Sequence, residues 1–415
     1  MHDRPRGAAA SGTSAVPSPT HSIEGYLAES GIPVCIRWQG GTVTSIESTD
    51  TAPPVWVSAG LIDLQVNGYG GHDFNTAGSD PAEVVAAVRA LWNHGVTRLC
   101  PTICTDSEDN MLRCLELVAA ARRLDTLVAH SIVAIHVEGP HISSEDGPRG
   151  VHPLVHVRPP DLAEYRRWQA AATGLIGIVT LAPELPGALD YIDALSSEGI
   201  VVSVGHTGAT AGQIRAAVEA GASLSTHLGN GAHASIRRHP NYIWEQLAED
   251  RLAATFILDG RHLPGAVVRS MLRAKGTARS IAVSDAVALA GMPPGRYRGF
   301  GTELELTPDG RLVLAGTSYL AGSTVTVEQS IALVMRHAGL SLADAVRLST
   351  SNPAALLPPD RVGSSGYLRE GGTADLVAFR IQPETGDVQV EQTVVAGTTV
   401  FQRSTATALA VGAEP

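Results

Sequence analysis

Between residues 59 and 358 one texture recurs: a short apolar run, a polar loop, then a helical stretch. Eight such runs read as strands, at 61–67, 97–101, 132–138, 176–181, 201–205, 223–227, 253–258 and 281–285. Stretches with helical apolar spacing, such as 82–94 and 212–219, lie between most of them. Eight βα units in roughly 250 residues match an α/β chain folded as a (β/α)8 TIM-like barrel. A doubly wound sheet shares the alternation, but no Gly-x-Gly-x-x-Gly opens the first helix. The polar residues with chemical capacity also fall at the C-terminal ends of many different strands, where a barrel places its active site.

The flanks have a different period. Alternating segments at 34–38 and 42–46, split by Gly40-Gly41, read as short antiparallel strands, and 375–379 and 388–390 repeat the pattern near the other end. Neither flank has enough strands to stand alone. Both chain ends are therefore expected to build one small β-sandwich domain, residues 23–58 with 359–405, beside a barrel of residues 59–358. Residues 1–22, rich in Ala, Ser, Pro and Thr, read as a disordered tail.

Charge narrows the partners. Thirty Lys and Arg against 41 Asp and Glu give a net charge of -11, which argues against nucleic acid or a membrane surface. No apolar run approaches the ~20 residues of a membrane helix. The four cysteines, Cys35, Cys100, Cys104 and Cys114, form no CxxC pair and read as reduced thiols of a cytoplasmic protein.

The strand ends carry the chemistry. In the first run, Asp63, Gln65 and Asn67 share one face by the period of two and point into the barrel, either as a hydrogen-bonded layer or for function. The third ends in His136-Val-Glu138-Gly-Pro140, presenting an acid that is costly to bury unless it is paired or bound to a cation. The fifth and sixth end in His206 and His227. Singly, each histidine is an ordinary core or surface residue; together with Glu138 they match the three protein ligands of a catalytic zinc. Asp285, closing the eighth strand, is a helix cap in one reading. Beside a metal-activated water it is the general base and later the acid. Arg237, Arg238, Arg261 and His262 could neutralise an anionic substrate or be solvated loop charges.

The order of these motifs resembles the N-acetylglucosamine-6-phosphate deacetylase family of the amidohydrolase superfamily. The matching segments begin at Gly60-Leu-Ile-Asp-Leu-Gln-Val-Asn-Gly68 and continue through His136-Val-Glu-Gly-Pro140, Gly205-His-Thr-Gly-Ala209 and Thr226-His-Leu-Gly-Asn230. Asp259-Gly-Arg-His262, Val283-Ser-Asp-Ala286 and Leu320-Ala-Gly-Ser-Thr324 follow in the same order. The resemblance implies hydrolysis of an acetamide on an amino-sugar phosphate. It implies one divalent metal, Zn2+ or Fe2+, on Glu138, His206 and His227, with Asp285 as acid/base and His152 polarising the carbonyl. It further implies substrate contacts from Asn230, Gly231, Arg238, His262, Leu320 and Ala321, and a homodimer in which a partner supplies a phosphate-binding side chain.

Two departures from the family pattern matter. Where many amidohydrolases carry His-x-His on the first strand, this chain has Gln65 and Asn67, weak zinc ligands that point to a mononuclear site. The segment His227-Leu-Gly-Asn-Gly-Ala-His233 lacks the aromatic and the Ala-Met of the familiar pattern, which leaves the sugar less certain than the chemistry. A deacetylase for a non-phosphorylated or scaffold-linked sugar, an amidohydrolase of cyclic amides or nucleobases, and a silent sugar-binding barrel are the alternatives.

Overall fold

The computed structural model describes residues 19–299, 302–317 and 320–404. Its centre is a sheet of eight parallel strands taken in chain order: Leu61–Val66, Val96–Cys104, Ile135–Glu138, Ile176–Leu181, Val201–Val204, Leu224–Ser225, Ala253–Ile257 and Ser280–Val283. The sheet closes on itself. Val66 bridges Ala286 in parallel, and Asp285 N donates to Gln65 O at 2.8 Å. All eight strands sit where the apolar runs placed them, and amphipathic helices such as Pro81–Trp92 and Ala211–Glu219 cover the outside.

The barrel interior is layered. At one end Ile62, Leu64, Cys100, Ala134, Ile178, Leu224, Ile257 and Ile281 form an apolar plug, closed by Ala354, Leu357 and Val362. Above it a polar layer satisfies itself: His136 Nε2 pairs with Thr180 Oγ1 at 2.7 Å, and Thr180 and Ser203 both reach Thr226 Oγ1. Burial pushes the His136 imidazole down to about 4, so it sits neutral in that layer. The strand ends stand on this satisfied floor.

The first strand departs from simple alternation. Its pairing shifts register between Asp63 and Val66. Ile62 and Leu64 therefore join the apolar plug, while Asp63 accepts from Ser284 N at 3.2 Å in the seam with the eighth strand. Burial pushes the Asp63 carboxyl up to about 7. Gln65 and Asn67 reach the site; Asp63 does not.

Both chain ends meet in one mixed sheet of seven strands. Leu376–Ile381 lies antiparallel to Trp56–Ala59, which runs parallel to Thr20–Leu27. Thr42 also bridges Thr373, so the sheet folds over a core of Val34, Ile36, Trp38, Val57, Leu376 and Val394. Thr20 already pairs with Gln39, so residues 20–22 belong to this sheet and not to the expected tail; residues 1–18 lie outside the described residues. Asp375 ties the sheet to the barrel through Arg98 Nε and His130 Nε2, each at 2.9 Å.

One element was not legible in the sequence. A three-stranded meander, Gly295–Gly299, Thr302–Leu306 and Leu312–Leu314, follows the eighth strand and packs on Val287 and Ala321. Among the described residues no helix is long and apolar enough to cross a membrane. All four cysteines are free thiols.

Candidate active site

Three strand ends converge on one point. Glu138 Oε1 lies 3.3 Å from His206 Nε2 and 3.0 Å from His227 Nε2, and the two ring nitrogens are 3.0 Å apart. All three residues are buried, and they form the one group of metal-ligating side chains this tight among the described residues. The backbone bends sharply to aim them. His206, His227 and Asp285 are three of the five described non-glycine residues with positive φ, at 50°, 29° and 47°. Such strain costs roughly 1–3 kcal/mol each and concentrates at functional sites.

The neighbours set the electronics. Pro148 O accepts from His206 Nδ1 at 2.8 Å, which fixes that tautomer and turns the Nε2 lone pair to the cluster. Burial opposes the charge on Glu138, yet the His206 and His227 imidazoles hold its carboxyl well below the usual range. With one oxygen and two imidazole nitrogens on separate rigid strands, the donor set fits a divalent transition metal.

Asp285 stands beside this cluster. Its Oδ1 accepts from Asn67 Nδ2 at 2.8 Å and from Gln65 Nε2 at 3.2 Å, and that same Gln65 nitrogen donates to Glu138 Oε1 at 2.7 Å. One amide thus ties the two carboxylates together. Burial, reinforced by the nearby Glu138 charge, pushes the Asp285 carboxyl up to about 6. Oδ1 thus accepts two bonds, and among the described residues no hydrogen bond engages Oδ2.

His152 arrives on the loop after the third strand. Its Nδ1 pairs with Thr105 Oγ1 at 2.7 Å, and its ring packs edge-on to His206 at 4.5 Å. Burial and the neighbouring His206 push it down to about 3, so the ring is neutral. Two glycines permit this crowding. A Cβ at Gly139 would lie 2.1 Å from Thr105 Oγ1, and one at Gly231 would lie 2.8 Å from His206 Nδ1.

These groups open into a cavity of about 910 Å3. Glu138, His206, His227, His152, Asp285, Asn230, Gly231, His262, Leu320 and Ala321 all line it. His262 is oriented by Asp259, whose Oδ2 lies 2.6 Å from Nδ1. Arg238 is not among the described lining residues: it is exposed on the loop beyond Gly231, where its backbone oxygen accepts from Asn241 Nδ2 at 3.2 Å. Among the lining residues that escaped the sequence reading of the site, three stand out. Cys104 Sγ lies 3.0 Å from Asn67 Oδ1, Thr105 holds His152, and Arg298 comes from the unforeseen meander. Position at the end of the second strand was a signal for Cys104 and Thr105; none existed for Arg298.

The amidohydrolase family model matches residues 56–400. The chain is 33% identical to the N-acetylglucosamine-6-phosphate deacetylase of Bos taurus over 83% of each chain. It is 32% identical to the N-acetylgalactosamine-6-phosphate deacetylase of Shewanella sp. (strain ANA-3), over 77% of this chain and 78% of that one. The solved N-acetyl-D-glucosamine-6-phosphate deacetylase of Mycobacterium smegmatis, a mutant in complex with N-acetyl-D-glucosamine-6-phosphate, superposes with a TM-score of 0.81 at 30% identity. That match covers 93% of this chain and 100% of the other.

Proposed function

The chain belongs to the amidohydrolase family, among its N-acetylglucosamine-6-phosphate deacetylases, and from that premise we propose the reaction it performs. It hydrolyses the acetamide of N-acetylglucosamine-6-phosphate or a close relative, giving acetate and the free amino sugar. The observation that carries this reading is the clasp of Gln65 Nε2 on Glu138 and Asp285 beside His206 and His227. It sets a three-ligand metal site and a half-buried carboxylate side by side in one cavity.

A single divalent metal, Zn2+ by its donor set and Fe2+ as the other candidate, would be held by Glu138, His206 and His227. Bound there, it supplies Lewis-acid polarisation of the amide carbonyl and lowers the pKa of water toward about 7. Asp285 accepts the proton of the attacking water through Oδ2 and returns it to the amine nitrogen as the C–N bond breaks. In this reading the Thr105 hydroxyl, 2.7 Å from His152 Nδ1, donates to that nitrogen, so the neutral ring carries its proton on Nε2 and donates it to the carbonyl oxygen as negative charge develops there. Asn230, Gly231, His262, Leu320 and Ala321 line the part of the cavity assigned to the sugar.

Residues 59–358 form the catalytic unit in this reading, with residues 23–58 and 359–405 as the small β domain, supported by the sheet drawn from both ends. A homodimer is part of it. Arg238 lies outside its own cavity, and the loops that carry His152 and Gly231 expose Leu154, Val155 and Ile236, with Trp244 on the next helix. Four free thiols fit a reducing, cytoplasmic setting. Acetate release from N-acetylglucosamine-6-phosphate, its galactosamine isomer and the unphosphorylated sugar tests the function. Turnover of the first identifies the substrate; release from none removes the deacetylase reading.

A further inference from the structure

The cavity is rich in acids and poor in fixed positive charge. Asp73, Asp106, Glu138 and Asp285 line it, and among the described lining residues Arg298 is the one arginine or lysine. A phosphate dianion entering this space meets like charge unless a cation answers it. Within the chain's own lining Arg298 offers such a cation: a permanent charge with five donors in a fork that matches phosphate oxygens.

Arg298 is free to serve. It stands on the strand Gly295–Gly299, and its neighbour Tyr297 turns the other way, onto the meander's own apolar core. Register places Arg298 opposite Glu303, yet no ion pair joins them, and among the described residues no hydrogen bond engages the guanidinium. The meander is also fastened to the turn that bears His262. Arg261, next in sequence, donates from Nη1 to Gly310 O at 2.7 Å and to Thr324 Oγ1 at 3.2 Å, and from Nη2 to Asp309 O at 2.5 Å. Two cavity-lining groups suited to an anion, Arg298 and His262, thus sit on segments bonded to each other.

We propose that Arg298 grips the phosphate of the substrate from within the same subunit and sets the preference for a phosphorylated sugar. This rests on the deacetylase reading for its ligand, and it contrasts with Arg238, which is exposed and does not line its own chain's cavity. Arg298 is a specificity residue: it acts on the remote anionic group, so its loss falls on KM and not on the chemical step.

The test is kcat and KM on N-acetylglucosamine-6-phosphate and on N-acetylglucosamine for the wild type, R298A, R298K and R238A, with melting temperature as the folding control. In R298A the preference for the phosphorylated sugar falls roughly 10- to 100-fold, chiefly through KM, as for a lost charge-assisted hydrogen bond. R298K recovers part of it. An unchanged preference in R298A overturns the proposal, whatever R238A does. If the wild type releases acetate from neither sugar nor from the galactosamine isomer, the deacetylase reading fails by itself. Calorimetry with inorganic phosphate then decides Arg298: weaker binding to R298A supports the assignment, and equal binding overturns it.

Discussion

The Nε2 atoms of His206 and His227 lie 3.0 Å apart, both within 3.3 Å of one oxygen of Glu138. With the His206 proton held on Nδ1 by Pro148 O, its Nε2 presents a lone pair to the centre of that triangle. The purified protein is expected to hold one divalent metal ion per chain, and His227→Ala to lower the content to near zero after dialysis. Elemental analysis checks this; a variant that keeps its full complement removes His227 from the ligand set.

Asp285→Asn keeps a carbonyl oxygen for Asn67 and Gln65 to donate to, so the site geometry survives while the proton acceptor is lost. Turnover should fall by about 10²–10⁴-fold with metal content unchanged. Acetate release and elemental analysis on the same preparation decide it. Activity within tenfold of the wild type would reassign the base.

Asp375 predicts an acid limit on stability. Burial opposes its charge, but His130 and Arg98 outweigh that and bring the carboxyl down to about 2. A folded pKa below the unfolded value near 4 stabilises the fold fully above that value, and the contribution fades as pH falls through about 2. Its size is on the order of 2 kcal/mol. Asp375→Asn should therefore unfold at lower urea at neutral pH, with the gap to wild type closing toward pH 2. A gap independent of pH would refute the ion-pair account.

Lys275 is the chain's single lysine, and its buried Nζ donates to Gln246 O and Glu249 O, each at 2.7 Å. These bonds satisfy carbonyls at the end of the helix Tyr242–Ala248. Lys275→Met should cost about 1–3 kcal/mol in denaturant unfolding. Mass spectrometry after treatment with an acylating reagent should find Lys275 unmodified in the native protein and modified once it is unfolded.

Much of this architecture is legible in the amino-acid sequence. Periods of two and 3.6 survive in the chain because each strand and helix buries one face, so the eight barrel strands could be read locally. Glu138, His206, His227 and Asp285 stood out because each closes an apolar run with a group that is expensive to bury alone. The first strand misled for a physical reason. A register shift lets Leu64 turn to the apolar plug and Asp63 to the seam, and no local pattern records a shift set by the partner strand.

The amino-acid sequence by itself determined the barrel, the joining of both chain ends in one sheet, and the residue types at the strand ends, because burial and periodicity are properties of neighbouring residues. Only the tertiary structure decided which atoms meet. Gln65 serves two carboxylates through one nitrogen, Thr105 holds His152, and Arg298 lines the cavity while Arg238 does not. Those relations join residues far apart in the chain, and they exist only once closure of the barrel and docking of the meander bring the segments within hydrogen-bonding reach.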